Sequence, residues 1–387
     1  MPTIYRTPET DLEDTGVIAE IQDLRDSLAL MLRTPRRWTN GMRRTTQARA
    51  IQGSNTIEGY TVSDQDALAA VDDEPPLTAD QRTWSEILGY RRMMTYILRM
   101  APEPGFVVDS QTLRSLHFML MEHDLSVDPG RFRPGSIYVR DDVADVTVYE
   151  GPPAEVVADL VDELVGSLRT DGTDTLVDAA MAHLNLVMIH PFKDGNGRMA
   201  RALQTLVLAQ DRVLEPTFSS IEEWLGSNTD DYYRVLAVTG AGAWNPQNDA
   251  GLWIKFSLRA HHMQAQTLQR RFDEADRTWV ALDELIAQFS LQPRVADALF
   301  DAVRGLRVVR PTYVKQSGVE EQTASRDLRG LVSAGLLEAH GQTRGRYYTA
   351  SGALRDLGEE IRADRPALVD PYPWLIGELR RQAARHS

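Results

Sequence analysis

His190-Pro191-Phe192-Lys193-Asp194-Gly195-Asn196-Gly197-Arg198-Met199-Ala200-Arg201 puts an imidazole, a carboxylate, two glycines, a carboxamide and two arginines into one short stretch. A residue before proline is pushed out of right-handed helical geometry, so the apolar period of about 176–189 predicts a helix that ends at His190. Met199, Ala202, Leu203, Leu206 and Val207 restart a helical period, from about Gly197. Between the two, Asp194-Gly195-Asn196-Gly197 predicts a tight turn whose glycines let backbone N–H groups approach a ligand closely. That turn opens a helix N-terminus, where unpaired N–H groups and the macrodipole favour an anion. Arg198 and Arg201, spaced i and i+3, project from one face of the same helix. This mixture of groups suits a metal-bound triphosphate.

An imidazole with an ordinary pKa of ~6.5 is largely neutral near pH 7 and can accept a proton. A positioned base is worth roughly 10²–10⁴-fold in rate. Transfer of a phosphorus group leaves the rest to positioning and to charge neutralisation by metal, N–H groups and guanidinium forks. Mg²⁺ is held by one or two carboxylates together with phosphate oxygens and water, so the single Asp194 of the loop suffices. The chain has no Gly-x-x-x-x-Gly-Lys-Ser/Thr phosphate loop and no protein-kinase motif set.

The stretch resembles the signature of the Fic family, a helix–loop–helix reading His-Pro-Phe-x-Asp/Glu-Gly-Asn-Gly-Arg-x-x-Arg, with every signature position present. The resemblance implies transfer of AMP from Mg-ATP to a Ser, Thr or Tyr hydroxyl of a target protein. It implies His190 as general base and Asp194 as Mg²⁺ ligand. The N–H groups of Gly195 and Gly197 with the Asn196 side chain would form the anion hole. Arg198 and Arg201 would clamp the phosphates, Arg201 at the γ end. The implied fold is mainly α: a Fic helical domain with a small β-hairpin flap.

Ser54-Asn55-Thr56-Ile57-Glu58-Gly59 resembles the family's inhibitory-helix motif, Ser/Thr-x-x-x-Glu-Gly/Asn. Ser54 and Glu58 are i and i+4 on one helical face, and Gly59 suits a helix end. The resemblance implies that Glu58 pairs with Arg201 and blocks seating of the ATP γ-phosphate. In some relatives the same Glu also aligns water for AMP removal. Upstream of the signature, Ile137, Tyr138 and Val139 alternate in polarity, and Val146–Tyr149 follows a polar turn at 141–145. This is similar to the Fic flap, which takes an extended target segment by strand addition. Downstream, Tyr232 and Tyr233 resemble the pair bordering the nucleotide base. Thr239-Gly240 stands where many relatives carry Asn, which leaves the base identity open.

After about Trp279 the pattern changes. A short helix over 311–318 ending at Gly318, a second over about 320–334 and a hairpin made by Gly335–Gly341 and Arg344–Thr349 resemble a C-terminal winged helix-turn-helix. Between Val303 and Tyr347 eight Arg or Lys oppose four acids, in a chain of net charge −14. Ser325, Arg326 and Arg329 would face a DNA groove, with Arg344 and Arg346 on phosphates. Protein docking or homodimerisation is the other use of such a domain. The run 33–49, with six arginines and no acid, reads as a solvated helix face or a docking patch.

The expected division is an N-terminal helical segment with the inhibitory helix at 1–75, a Fic core at 76–278, a winged helix at 279–355 and a helical tail at 356–387. With no cysteine, disulfides and thiolate nucleophiles are excluded. No apolar run reaches membrane-span length and no secretion signal is visible, so no membrane contact and a cytoplasmic setting are expected. Two other functions stay open: a DNA-binding regulator whose Fic domain senses nucleotide, and a Fic enzyme that moves UMP, phosphate or phosphocholine.

Overall fold

The computed structural model describes residues 4–34, 36–141, 146–168, 174–342 and 345–386. The chain is mainly helical and separates into two compact units. One comprises 1–29, 46–265 and 369–387, the other 30–45 and 266–368.

The first unit is built around an antiparallel helical pair, Thr175–Ile189 and Asn196–Gln210. These helices are buried on nearly every face, with only Thr175, Asp178 and Val187 of the first and Gly197 and Gln210 of the second outside the core. All-round burial is what a central helix needs, and the alanines at 179, 180, 182, 200 and 202 let neighbours pack closely. Asp174 caps the first helix by accepting from the Leu176 N–H. Around the pair lie Thr39–Ile57 (its 46–57 portion), Gln81–Met100, Ser110–Met121, Val157–Ser167 and Thr229–Gly240. At one point two backbones nearly touch: a Cβ on Gly53 would lie 2.3 Å from the Glu222 carbonyl oxygen. Only glycine permits that approach, and it delivers the next residue, Ser54, to the site. A two-stranded antiparallel sheet, Tyr138–Asp141 with Val146–Glu150, pairs Tyr138 with Glu150 and Val139 with Tyr149. A bulge between Val139 and Arg140 shifts the register beyond them.

The second unit contains Ala296–Val303, Arg310–Ser317 and Glu321–Ser333. Gly318 caps the middle helix with φ 66°. Leu337–His340 and Tyr347–Ala350 follow as antiparallel strands. Val308–Val309 joins the outer side of Tyr347–Ala350, a third strand too short to read in the sequence. Asp327 locks the helices together, accepting from both sides of the Arg294 guanidinium and from Tyr313 OH at 3.0 Å. In the arginine-rich run Arg33, Arg36 and Arg37 are exposed, and several of its arginines pair with acids. Arg36, Arg37 and Arg44 pair with Asp276, Asp283 and Asp301 inside the second unit, and Arg49 pairs with Glu223 inside the first.

Candidate active site

The helix Thr175–Ile189 stops at His190, as the proline requires, with His190 in the left-handed region at φ 50°. Its Nδ1 donates to the Val187 carbonyl at 3.0 Å, which leaves Nε2 as the lone-pair nitrogen. Burial is the main influence holding its pKa below the ordinary imidazole value, so the ring is a neutral acceptor near pH 7.

Two buried side chains brace the loop after His190. The Asn196 carboxamide accepts from the Phe192 N–H at 2.9 Å and donates to the Phe192 carbonyl at 2.8 Å. It is therefore engaged within the loop and not directed at an anion, which corrects its expected place in the anion hole. His117 stacks on Phe192 with centroids 3.8 Å apart. Its Nδ1 accepts from the Gly130 N–H and its Nε2 donates to the Asp194 carbonyl at 3.0 Å. Burial lowers the His117 pKa to about 4, so this neutral tautomer persists near pH 7.

Asp194 is exposed, and its Oδ1 accepts from the Gly195 N–H. Gly195 therefore directs its N–H to the carboxylate, a second departure from the expected anion hole. The remaining oxygen of Asp194 points to no partner among the described residues. One exposed carboxylate beside a helix N-terminus fits Mg²⁺ shared with phosphate oxygens.

The two arginines diverge. Arg201 is 1% exposed; its Nε donates to Ser54 Oγ at 2.9 Å and its Nη2 to the Ser54 carbonyl and to Glu58 Oε1 at 2.7 Å. Its Nη1 is buried without a hydrogen-bond partner. Glu58 Oε1 fills the space over Gly197, 2.4 Å from where a Cβ would sit. Burial alone would raise the Glu58 pKa, but Arg201 and Arg198 outweigh it and hold it below the usual carboxylate range. Arg198 is turned into the protein and pairs with buried Glu86, itself bonded by Tyr60 OH at 2.7 Å. Its expected role as an open phosphate clamp is not the geometry seen.

The turn carrying Glu58 is pinned from outside, where Tyr233 OH donates to the Ile57 carbonyl at 2.7 Å. Tyr232 does not border an open site. It is 1% exposed and its hydroxyl meets His183 Nε2 at 2.9 Å. His183 continues through Gln204 to His261, and burial lowers both histidine pKa values to about 3.

Of the flap residues, Tyr138 is 53% exposed and Val139 lies in the strand. Ile137 precedes the strand and accepts from the Gly151 N–H at 3.1 Å. Most of the polar turn, 142–145, lies outside the described residues. An open groove of about 560 Å³ runs beside the flap, lined by Ile137, Tyr138, Arg140, Thr147 and Lys193. Glu86, Tyr60, His117 and Arg133 escaped sequence reading, because isolated residues far from the signature carry no local pattern. Among the described residues no helix is long and apolar enough to cross a membrane.

Residues 107–208 match the model of the Fic/DOC family. Over 235 residues the chain is 25% identical to "Protein adenylyltransferase fic-1" of Caenorhabditis briggsae, covering 60% of this chain and 44% of that protein. Over 163 residues it is 27% identical to "Protein adenylyltransferase Fic" of Nematostella vectensis, covering 41% and 36% respectively. The chain thus spans less than half the length of these curated relatives. A Fic family protein from Desulfovibrio desulfuricans superposes with a TM-score of 0.58 at 25% identity, over 90% of this chain and 99% of that one. The complete signature at 190–201 sits inside the matched segment, so residues 107–208 carry a Fic domain.

Proposed function

We propose that the first unit is a protein adenylyltransferase held in check by Glu58. The observation that carries this reading is the seat at Arg201: a buried guanidinium with one unpaired nitrogen, its other nitrogens taken by Ser54 and Glu58. A carboxylate stands there where a phosphate oxygen would bind, so Glu58 and the γ-phosphate compete for one cation. The N–H groups of Asn196 and Gly197 at the helix N-terminus supply the anion site. Asp194 would hold Mg²⁺, which neutralises phosphate charge when bound. In the reaction the target hydroxyl gives its proton to His190 Nε2 while its oxygen bonds to the α-phosphorus of ATP. The bond from that phosphorus to the β-phosphate oxygen breaks, and pyrophosphate leaves. The hydroxyl-bearing segment would lie along the flap groove.

Labelling the Glu58→Gly variant with ATP carrying the label on the α- or the γ-phosphorus tests this. Label retained from the α-position only is expected. Retention from the γ-position would mean phosphate transfer, and no retention from either would favour a nucleotide sensor.

For the second unit a winged helix-turn-helix directed at duplex DNA is the reading favoured by one surface. Arg310, Arg326 and Arg329 line a groove of about 460 Å³ on the helix Glu321–Ser333, beside Ser325 and Thr323. Glu321 is its one acid. Arg346 is exposed on the adjacent hairpin, against the Tyr348 ring; Arg344 lies outside the described residues.

A further inference from the structure

Arg133 is 4% exposed, and among the described residues it makes no ion pair with a carboxylate, while the charge of Glu155 acts on it. Its guanidinium is instead surrounded by main-chain oxygens. Nε donates to the His190 carbonyl at 2.8 Å, Nη1 to the Gly135 carbonyl at 2.6 Å, and Nη2 to those of Pro152 at 2.5 Å and Ile189 at 3.4 Å. The Arg133 main-chain N–H donates to the Pro191 carbonyl at 2.9 Å. One side chain therefore joins the entry of the flap, its exit and the end of the helix that carries His190.

His190 needs such support. Its backbone lies in the left-handed region, which a residue with a Cβ disfavours, and the following proline removes an N–H that could help. The Arg133 side chain reaches the peptide groups on both sides of His190, through the Ile189 and His190 carbonyls, and its main-chain N–H holds the next one through the Pro191 carbonyl. A planar five-donor fork can reach several carbonyls at once, which a lysine ammonium cannot do in the same plane.

We propose that Arg133 is a positioning residue that fixes the left-handed backbone of His190 to the base of the flap, so that the base and the segment bearing the acceptor hydroxyl keep one spacing. The proposal rests on His190 being the base in the reading above. It differs from a purely scaffolding role in two ways. The cation also acts on the imidazole, together with Glu58 and Asp194, the charged groups that face it from the inhibitory turn and the signature loop. And it does not touch the triphosphate seat, which Arg201 and the helix N-terminus build.

The test uses the full chain in the Glu58→Gly background and compares Arg133, Arg133→Lys and Arg133→Met. Self-labelling rates at saturating ATP, the ATP concentration for half-maximal rate, the pH profile of the rate, and an NMR titration of the His190 imidazole are measured. A misplaced base typically loses up to about 100-fold in rate. Arg133→Met should lose at least about 10-fold in maximal rate, with the half-saturating ATP changed less than about 2-fold and Lys in between. Loss of the cation should move the acid limb of the pH profile, and the His190 titration, to higher pH. An unchanged maximal rate, or a loss accompanied by an unshifted His190 titration, would overturn the proposal. If Glu58→Gly with Arg133 intact transfers nothing, the transferase reading fails, and the NMR titration alone then decides whether Arg133 governs His190.

Discussion

At the scale of single residues, the proposed inhibition turns on Glu58 and Arg201, which pair at 2.7 Å. A charge-assisted hydrogen bond is worth about 1.5–3 kcal/mol, so removing the carboxylate should raise self-labelling about 10- to 150-fold. Glu58→Gly should therefore label strongly with α-labelled ATP, and Glu58→Gly combined with Arg201→Ala should return to background. Equal labelling of wild type and Glu58→Gly over a range of ATP and Mg²⁺ would make the turn after Ile57 a scaffold only. His190→Ala should abolish transfer and leave Mg-ATP affinity within a few-fold, because in the proposed reaction Nε2 serves the hydroxyl and not the phosphates. Calorimetry on that variant would contradict the assignment if binding vanished together with transfer. Glu86 acts one step away. Burial opposes its charge, and Arg198 overrides burial to keep its pKa below the usual range. Glu86→Gln would leave a guanidinium that is 1% exposed without this counter-ion, a change that costs about 3 kcal/mol. A urea denaturation curve indistinguishable from wild type would show that Arg198 finds another partner.

Elements set where these residues stand. Ser54 reaches Arg201 because Gly53 lets its helix lie against the backbone of Glu222. Gly53→Ala must push the two apart, so it should both lower stability and raise basal self-labelling, since Ser54 and Glu58 retreat together. A variant that is destabilised yet labels no better than wild type would separate the packing of this helix from the proposed inhibition. The neighbouring helix Asp64–Asp72 is held by Asp66, which accepts from the Leu77 N–H at 2.6 Å, the Thr78 N–H at 3.0 Å and Ser63 Oγ at 2.6 Å. Burial opposes its charge, but the bonds from Ser63 and Thr78 prevail and lower its pKa to about 2. A depressed carboxyl pKa gives stability that is fully present above the unfolded value near 4 and lost as pH falls towards 2. At neutral pH that contribution is about 2 kcal/mol. The stability gap between wild type and Asp66→Asn should accordingly be near that size at pH 7 and shrink below pH 4. A gap independent of pH would mean that shape, not charge, is what Asp66 supplies.

For the whole molecule, charge is unevenly shared: the first unit carries −19 and the second +5. Only the second could approach a polyanion without repulsion. If it binds DNA, affinity should fall steeply with salt as counterions are released. Arg326→Ala should weaken binding while self-labelling stays unchanged. Gel shifts that stay flat across random and upstream DNA would point to a protein partner for the same surface.

How much of this was legible in the chain depends on the range of the forces involved. Pro191 ended one helix, Asp194–Gly197 made the turn, and Gly318 closed the short helix of the second unit, each through local backbone sterics that act over a few residues. A dense signature likewise brought His190, Asp194 and Arg201 together without any need for tertiary information. The partner of each charge was another matter. Arg198 and Arg201 leave one helix three residues apart, yet one turns inward to Glu86, 112 positions away, and the other meets Ser54 and Glu58. Tyr232 and Tyr233 are adjacent, but one is sealed against His183 and the other caps Ile57. Burial makes an unpaired polar group expensive, so each one takes whatever complement packing brings near. Sequence alone determined which chemistry the loop can hold. Only the tertiary structure decided which groups are open to perform it, because partners far apart in the chain meet only when the core has formed.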